Sequence, residues 1–182
     1  RDVERSRGLG DVYKRQVSAR PRPLEDSYMP AFLVGLGLAR SLAAVNEIPL
    51  WQISHQENHL EAGLWSAQGP DADRFLLLHA SGGTAALRKI EAGADPAALA
   101  AGVQYALAET FVRMIRNVAA QKEIFDVLLV GGVVSNAYIR RHMIEKLAKR
   151  RIRVWIPESR FSPDNAAGCA AYAFRQGESS YE

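Results

Sequence analysis

The chain has 182 residues, 48% hydrophobic and 24% charged, with 23 basic against 20 acidic groups and a formal net charge of +3. That composition builds a core and excludes a disordered chain, and the near balance of charge argues against a strongly basic nucleic-acid module. The single cysteine, Cys169, leaves no internal disulfide framework, and no apolar run reaches the roughly 18–20 residues of a membrane span, so a cytoplasmic protein without membrane contact is expected.

Residues 1–16 hold five basic and three acidic groups without hydrophobic periodicity, which leaves 18 basic against 17 acidic beyond them. They read as a non-native or disordered tail, a fragment edge or assembly scar, with the first strand expected from Val17. Pro21, Pro23 and Pro30 punctuate a loop, since prolines so spaced cannot sit in a helix interior. Leu33, Leu36, Leu38, Leu42 and Val45 then predict a helix over Ala31–Asn46. Leu50–Ser54 reads as a strand, His55–Ala67 as a helix, and Phe75–Ala80 as a buried strand running into Ser81, Gly82, Gly83 and Thr84. Asp95 as N-cap and Pro96 at the first position open the longest helix, with Val103, Leu107, Phe111, Met114, Ile115 and Val118 on one face and an end near Lys122. Asp126–Val130 (strand), Asn136–Lys149 (helix), Ile152–Ile156 (strand) and Asp164–Arg175 (helix) complete the order. Strands alternating with helices predict an α/β fold, a mixed or mostly parallel sheet flanked by helices.

His55 and His59, at i and i+4 of a helix, share a face and can reach one metal ion; two surface histidines on an amphipathic helix have the same spacing. Glu57 lies two residues after His55, roughly 200° round the helix at about 100° per residue. In a zincin the base directly follows the first histidine, so a protease is not expected. Ser81–Thr84 reads either as a glycine loop that lets a backbone approach a phosphate or as a hairpin turn. Gly131 and Gly132, between a strand and a helix, stand where α/β proteins bind nucleotides, and close packing of the corner accounts for them equally. Asp164 reads as the N-cap of the last helix. Arg140, Arg141, Lys146, Lys149, Arg150, Arg151 and Arg153 complement a helix C-terminus, with a nucleic-acid contact as the minor alternative.

In their order these segments resemble the tRNA threonylcarbamoyladenosine-forming family, TsaD, also described as glycoprotease-like. The resemblance is carried by residues 35–44 with Ile48, Pro49 and Leu50, by His55 and His59, by Ala80–Thr84, by Gly131–Asn136, and by Pro157 through Asp164 and Asn165. It implies an actin/Hsp70/hexokinase-like (ASKHA) fold and one divalent metal ion, iron or zinc, on His55, His59 and Asp164. It also implies threonylcarbamoyl-adenylate or ATP held by Ser81, Gly82, Gly83, Thr84, Gly131, Gly132 and Asn136. The implied reaction is acyl transfer, of a threonylcarbamoyl group to the adenine N6 of tRNA, with a related subunit as heterodimer partner. Residues 20–30 resemble a shorter bacterial side branch. Thr84 stands where the family has histidine, a strand pair is expected ahead of Val17, and ten residues join Thr84 to Asp95 where the family has several dozen. The chain is therefore expected to be an incomplete copy of the fold: residues 17–94 a partial first lobe with the paired histidines and the Ser-Gly-Gly-Thr loop, residues 95–182 part of the second lobe with the Gly-Gly and Asp-Asn motifs. A non-catalytic binding or scaffold paralogue is the alternative.

Overall fold

The computed structural model describes residues 15–80 and 96–178. In chain order they form β1 (Arg15–Arg20), α1 (Pro30–Val45), β2 (Leu50–Ser54), α2 (His55–Ala67), β3 (Leu76–His79) and α3 (Pro96–Lys122). Then follow β4 (Asp126–Val130), α4 (Ala137–Ala148), β5 (Arg153–Trp155) and α5 (Ala167–Glu178), with 3-10 turns at Gly132–Ser135 and Ser159–Phe161. All described strand pairs are parallel: β1 with β2, and β3–β4–β5 with β4 in the centre. The expected α/β alternation is thus present, and each parallel neighbour is reached through a helix, as a parallel connection requires. The described residues fall into two compact units, one of residues 15–58 with 169–178 and one within residues 59–168.

In the first unit β1 and β2 run in register from Arg15 opposite Leu50 to Ser18 opposite Ile53, with an irregularity before Arg20 meets Ser54. Pro30 opens α1, where its fixed φ suits the first turn and its missing N–H costs nothing. Leu36 and Ala43 are the buried residues of α1, whereas Leu33, Leu38, Leu42 and Val45 from the expected apolar face are exposed. A two-stranded ribbon covers one narrow stripe of a helix, and the remaining leucines face outward. Asn58 reaches the start of α5, its Oδ1 accepting the Cys169 N–H at 2.7 Å, one of the donors a helix start leaves without an intrahelical acceptor. Burial pushes the Cys169 thiol pKa up, outweighing the Ser18 hydroxyl 3.7 Å away.

In the second unit β4 is buried at every position, as a central parallel strand covered on both faces must be. Val127 and Leu129 join the core with Ala108, Val112, Ile115 and Ala119 of α3 and Ile139, Met143 and Leu147 of α4. Leu128 and Val130 turn to the other face, toward Gly63 of α2, where an added Cβ would lie 2.6 Å from a Val130 methyl. Of the expected α3 face, Ile115 is buried with Ala108, Val112 and Ala119, and Leu107 and Phe111 pack against the same core, while Met114 and Val118 are exposed. Alanine lets the helix axis come closest to what it packs on, so the packing face turns toward Ala108 and Ala119 and leaves Met114 and Val118 outside it. At the foot of β4, Asp126 accepts from Trp155 Nε1 at 2.9 Å and Arg153 Nη2 at 2.7 Å, tying β4 to β5. Burial raises the Asp126 pKa, and these two bonds with the Arg153 charge outweigh it and bring the carboxyl below its ordinary value.

Four helices end alike. After α1, α2, α3 and α4 the residues Glu47, Gln68, Glu123 and Arg151 adopt φ between 51° and 59°. The next N–H then donates back across the last turn: Ile48 to Ala43, Gly69 to Leu64, Ile124 to Ala119 and Ile152 to Leu147. This is the Schellman closure, which normally uses glycine at the left-handed position.

Candidate metal and ligand site

The first turn of α2 is fixed by a capping box. Ser54 Oγ accepts the Glu57 N–H at 3.2 Å and Glu57 Oε2 accepts the Ser54 N–H at 2.6 Å. The Glu57 carboxylate is thereby committed to the backbone, which agrees with its misplacement for a metalloprotease base. This pair of bonds explains why a helix starts at His55.

His59, one turn further, is 1% exposed. Its Nε2 lies 3.0 Å from Asp164 Oδ1, and the Asp164 side chain is 78% exposed. A buried imidazole thus faces an accessible carboxylate. On its other side the His59 ring lies against His79, with centroids 4.4 Å apart and planes at 35°. His55 is one helical turn before His59 on the same face of α2, half-buried, with its ring edge-on to Phe32 at 5.9 Å. Asp164 comes from the loop before α5, and Asn165 shapes that loop: its Nδ2 donates to Phe161 O at 2.9 Å and Pro163 O at 2.7 Å, and its Oδ1 accepts the Ala167 N–H at 2.8 Å. The helix expected from Asp164 starts at Ala167. Asp164 is therefore placed ahead of the helix, where its carboxylate meets His59. His79 was missed from sequence because a single histidine ending an apolar strand carries no spacing signal.

At the end of β4, Gly131 adopts φ 101° and ψ 159°, a conformation essentially restricted to glycine. Its N–H donates to Ser162 O at 3.1 Å, its carbonyl accepts from buried Ser162 Oγ at 2.9 Å, and a Cβ there would strike the Ala80 carbonyl. Gly131 is thus a packing glycine. Gly132 differs: it is exposed and a Cβ would meet nothing within 4 Å. Asn136 caps α4, Oδ1 accepting the N–H groups of Tyr138 at 3.0 Å and Ile139 at 3.1 Å. Ser81, Gly82, Gly83 and Thr84 lie outside the described residues, as does Asp95.

Several of the basic residues hold partners within the fold. Arg140 donates to Ser159 Oγ at 2.9 Å, Lys146 is 3.4 Å from Glu109 and Arg153 pairs with Asp126. Glu109 also binds His142 Nε2 at 2.6 Å, a link between α3 and α4 with no sequence signature. Hydrogen bonding to His142, then to Lys146, holds the Glu109 carboxyl below its ordinary range. Among the described residues no helix is long and apolar enough to cross a membrane.

The family described as "Carbamoyltransferase, Kae1-like Domain, second subdomain" matches residues 54–171, more than half of the chain, from the start of α2 into α5. Over 80 residues the chain is 38% identical to a tRNA N6-adenosine threonylcarbamoyltransferase of Endomicrobium trichonymphae, covering 43% of this chain and 23% of that protein. Over 58 residues it is 36% identical to the protein of the same name from Fusobacterium nucleatum subsp. nucleatum, covering 32% of this chain and 17% of that one. The aligned stretches thus span about a fifth of these relatives.

Proposed function

The chain belongs to the Kae1-like carbamoyltransferase domain family, second subdomain, and from that premise we propose that it carries the metal and adenylate site of a tRNA threonylcarbamoyl transferase. The reaction is transfer of a threonylcarbamoyl group from its adenylate to the adenine N6 of tRNA. The observation that carries the reading is buried His59 held 3.0 Å from an exposed Asp164 carboxylate, with His55 on the same helix face.

The donor set fits a divalent ion of the iron or zinc type. Each of the three residues offers one ligand atom, two imidazole nitrogens and one carboxylate oxygen. Donors bound to one ion at about 2.0–2.2 Å stand roughly 3 Å apart, the separation between His59 and Asp164. When bound there, the ion supplies Lewis-acid polarisation and a template for the acyl adenylate. The chain's own residues do the positioning. α2 fixes the histidine spacing, Asn165 holds the loop that presents Asp164, and Gly132 leaves bare backbone at the end of β4 for a nucleotide. Asn136 Oδ1 is taken by α4, so toward an adenylate Asn136 offers its Nδ2 amide.

The test uses the full chain: zinc and iron binding measured on the wild type and on a His55→Ala, His59→Ala double variant, followed by transfer from threonylcarbamoyl-adenylate to unmodified tRNA. Stoichiometric binding abolished in the double variant is expected; a wild type that takes up neither metal sinks the site. A second reading, a non-catalytic scaffold member that pairs with a related subunit, is favoured by the ten-residue connection from Thr84 to Asp95. It predicts pairing without transfer, and transfer by this chain alone rules it out.

A further inference from the structure

We infer that His79 is a positioning residue, which holds the plane of the His59 imidazole by ring-on-ring contact so that Nε2 faces Asp164. The inference rests on the reading of His59 as a metal ligand. It begins with β3, where His79 closes an apolar run and pairs in register with Val130 of β4. Paired residues of a parallel ladder point to the same face, and the Val130 side chain faces Gly63 of α2. His79 is therefore on the α2 side, and its ring meets His59 at 4.4 Å with planes 35° apart.

The torsion about the Cβ–Cγ bond of histidine is broad, so burial alone does not define where the ring nitrogens point. The His59 ring has a carboxylate at one edge and the flat ring of His79 on its face. His79 is itself anchored, because it ends a strand hydrogen-bonded to the central strand β4. Rotation of the His59 ring would have to displace a residue fixed by the sheet. Leucine, which the rest of the strand uses at Leu76, Leu77 and Leu78, fills similar space without a flat surface. Hydrogen-bonding partners that orient a ligating histidine change metal affinity by about 10–100-fold when removed, and that range sets the scale expected of a ring contact that fixes the same orientation.

The experiment compares the full-length wild type with His79→Leu, which keeps an apolar strand residue, and His79→Phe, which restores a flat ring without nitrogen. Side-chain NMR relaxation of His59 reads ring order without metal, and calorimetric titration with zinc reads affinity. His79→Leu is expected to lower the His59 ring order and weaken zinc binding about 10–100-fold, while His79→Phe stays close to the wild type in both. Unchanged ring order in His79→Leu, or a Phe variant as impaired as the Leu variant, overturns the inference. A wild type that binds no zinc sinks the proposed function, and the ring-order comparison still decides the role of His79.

Discussion

Gly131 and Gly132 are neighbours with opposite reasons to be glycine, and substitution by alanine separates them. At Gly131 the conformation at φ 101° and ψ 159° costs an L-residue about 1–3 kcal/mol. A Cβ would also strike the Ala80 carbonyl, which accepts the Val133 N–H at 3.0 Å and cannot move without breaking the end of β3. The two bonds with Ser162 add about 0.5–1.5 kcal/mol each if they are lost. Gly131→Ala is therefore expected to lose about 3–5 kcal/mol, a large part of the roughly 5–15 kcal/mol of an ordinary domain. At Gly132 a Cβ meets nothing, and the change in stability should stay within about 0.5 kcal/mol. Urea unfolding followed by far-UV circular dichroism measures both, and calorimetry with ATP measures ligand affinity in the variant that stays folded. A Gly131→Ala protein within about 1 kcal/mol of wild type refutes the packing argument. Unimpaired ATP binding by Gly132→Ala refutes the assignment of bare backbone at Gly132 to the ligand.

The left-handed helix end at Glu123 predicts that Glu123→Gly stabilises by about 0.5–1 kcal/mol relative to Glu123→Ala; thermal melts of the two variants decide it, and equal midpoints count against it. Hydrogen bonding to His142 keeps the Glu109 pKa below its ordinary 4.5, so its contribution is present above that pH and is lost as pH falls below it through the folded-state value. Unfolding midpoints between pH 5 and pH 3 should accordingly fall less steeply in Glu109→Gln than in the wild type, and parallel curves would remove Glu109 from the account.

The sequence by itself determined the alternation of strands and helices, because these signals are local: Pro96 at a helix start, the apolar run of β4, and the helical spacing that puts His55 and His59 on one face. It also excluded Glu57 as a protease base from rotation about the helix, whereas the capping box with Ser54 was seen only in the structure. Helix ends were legible only roughly, since the left-handed residue is Glu, Gln or Arg where a glycine would have been the sign. The faces of α1 and α3 were decided by tertiary packing. A helix buries the stripe its neighbours can reach: on α1 that is Leu36 with Ala43 while Leu33, Leu38 and Leu42 stay outside, and on α3 it is Ile115 with Ala108 and Ala119 while Met114 and Val118 stay outside. The same holds for the candidate site. Asp164 is 105 residues from His59 along the chain and reads locally as a helix cap, yet the loop shaped by Asn165 sets its carboxylate against the histidine. His79 has no periodicity to announce it. Only the register of β3 on β4 brings its ring to His59, because contacts between distant segments are fixed by strand pairing and core packing, and neither is written in the spacing of residues.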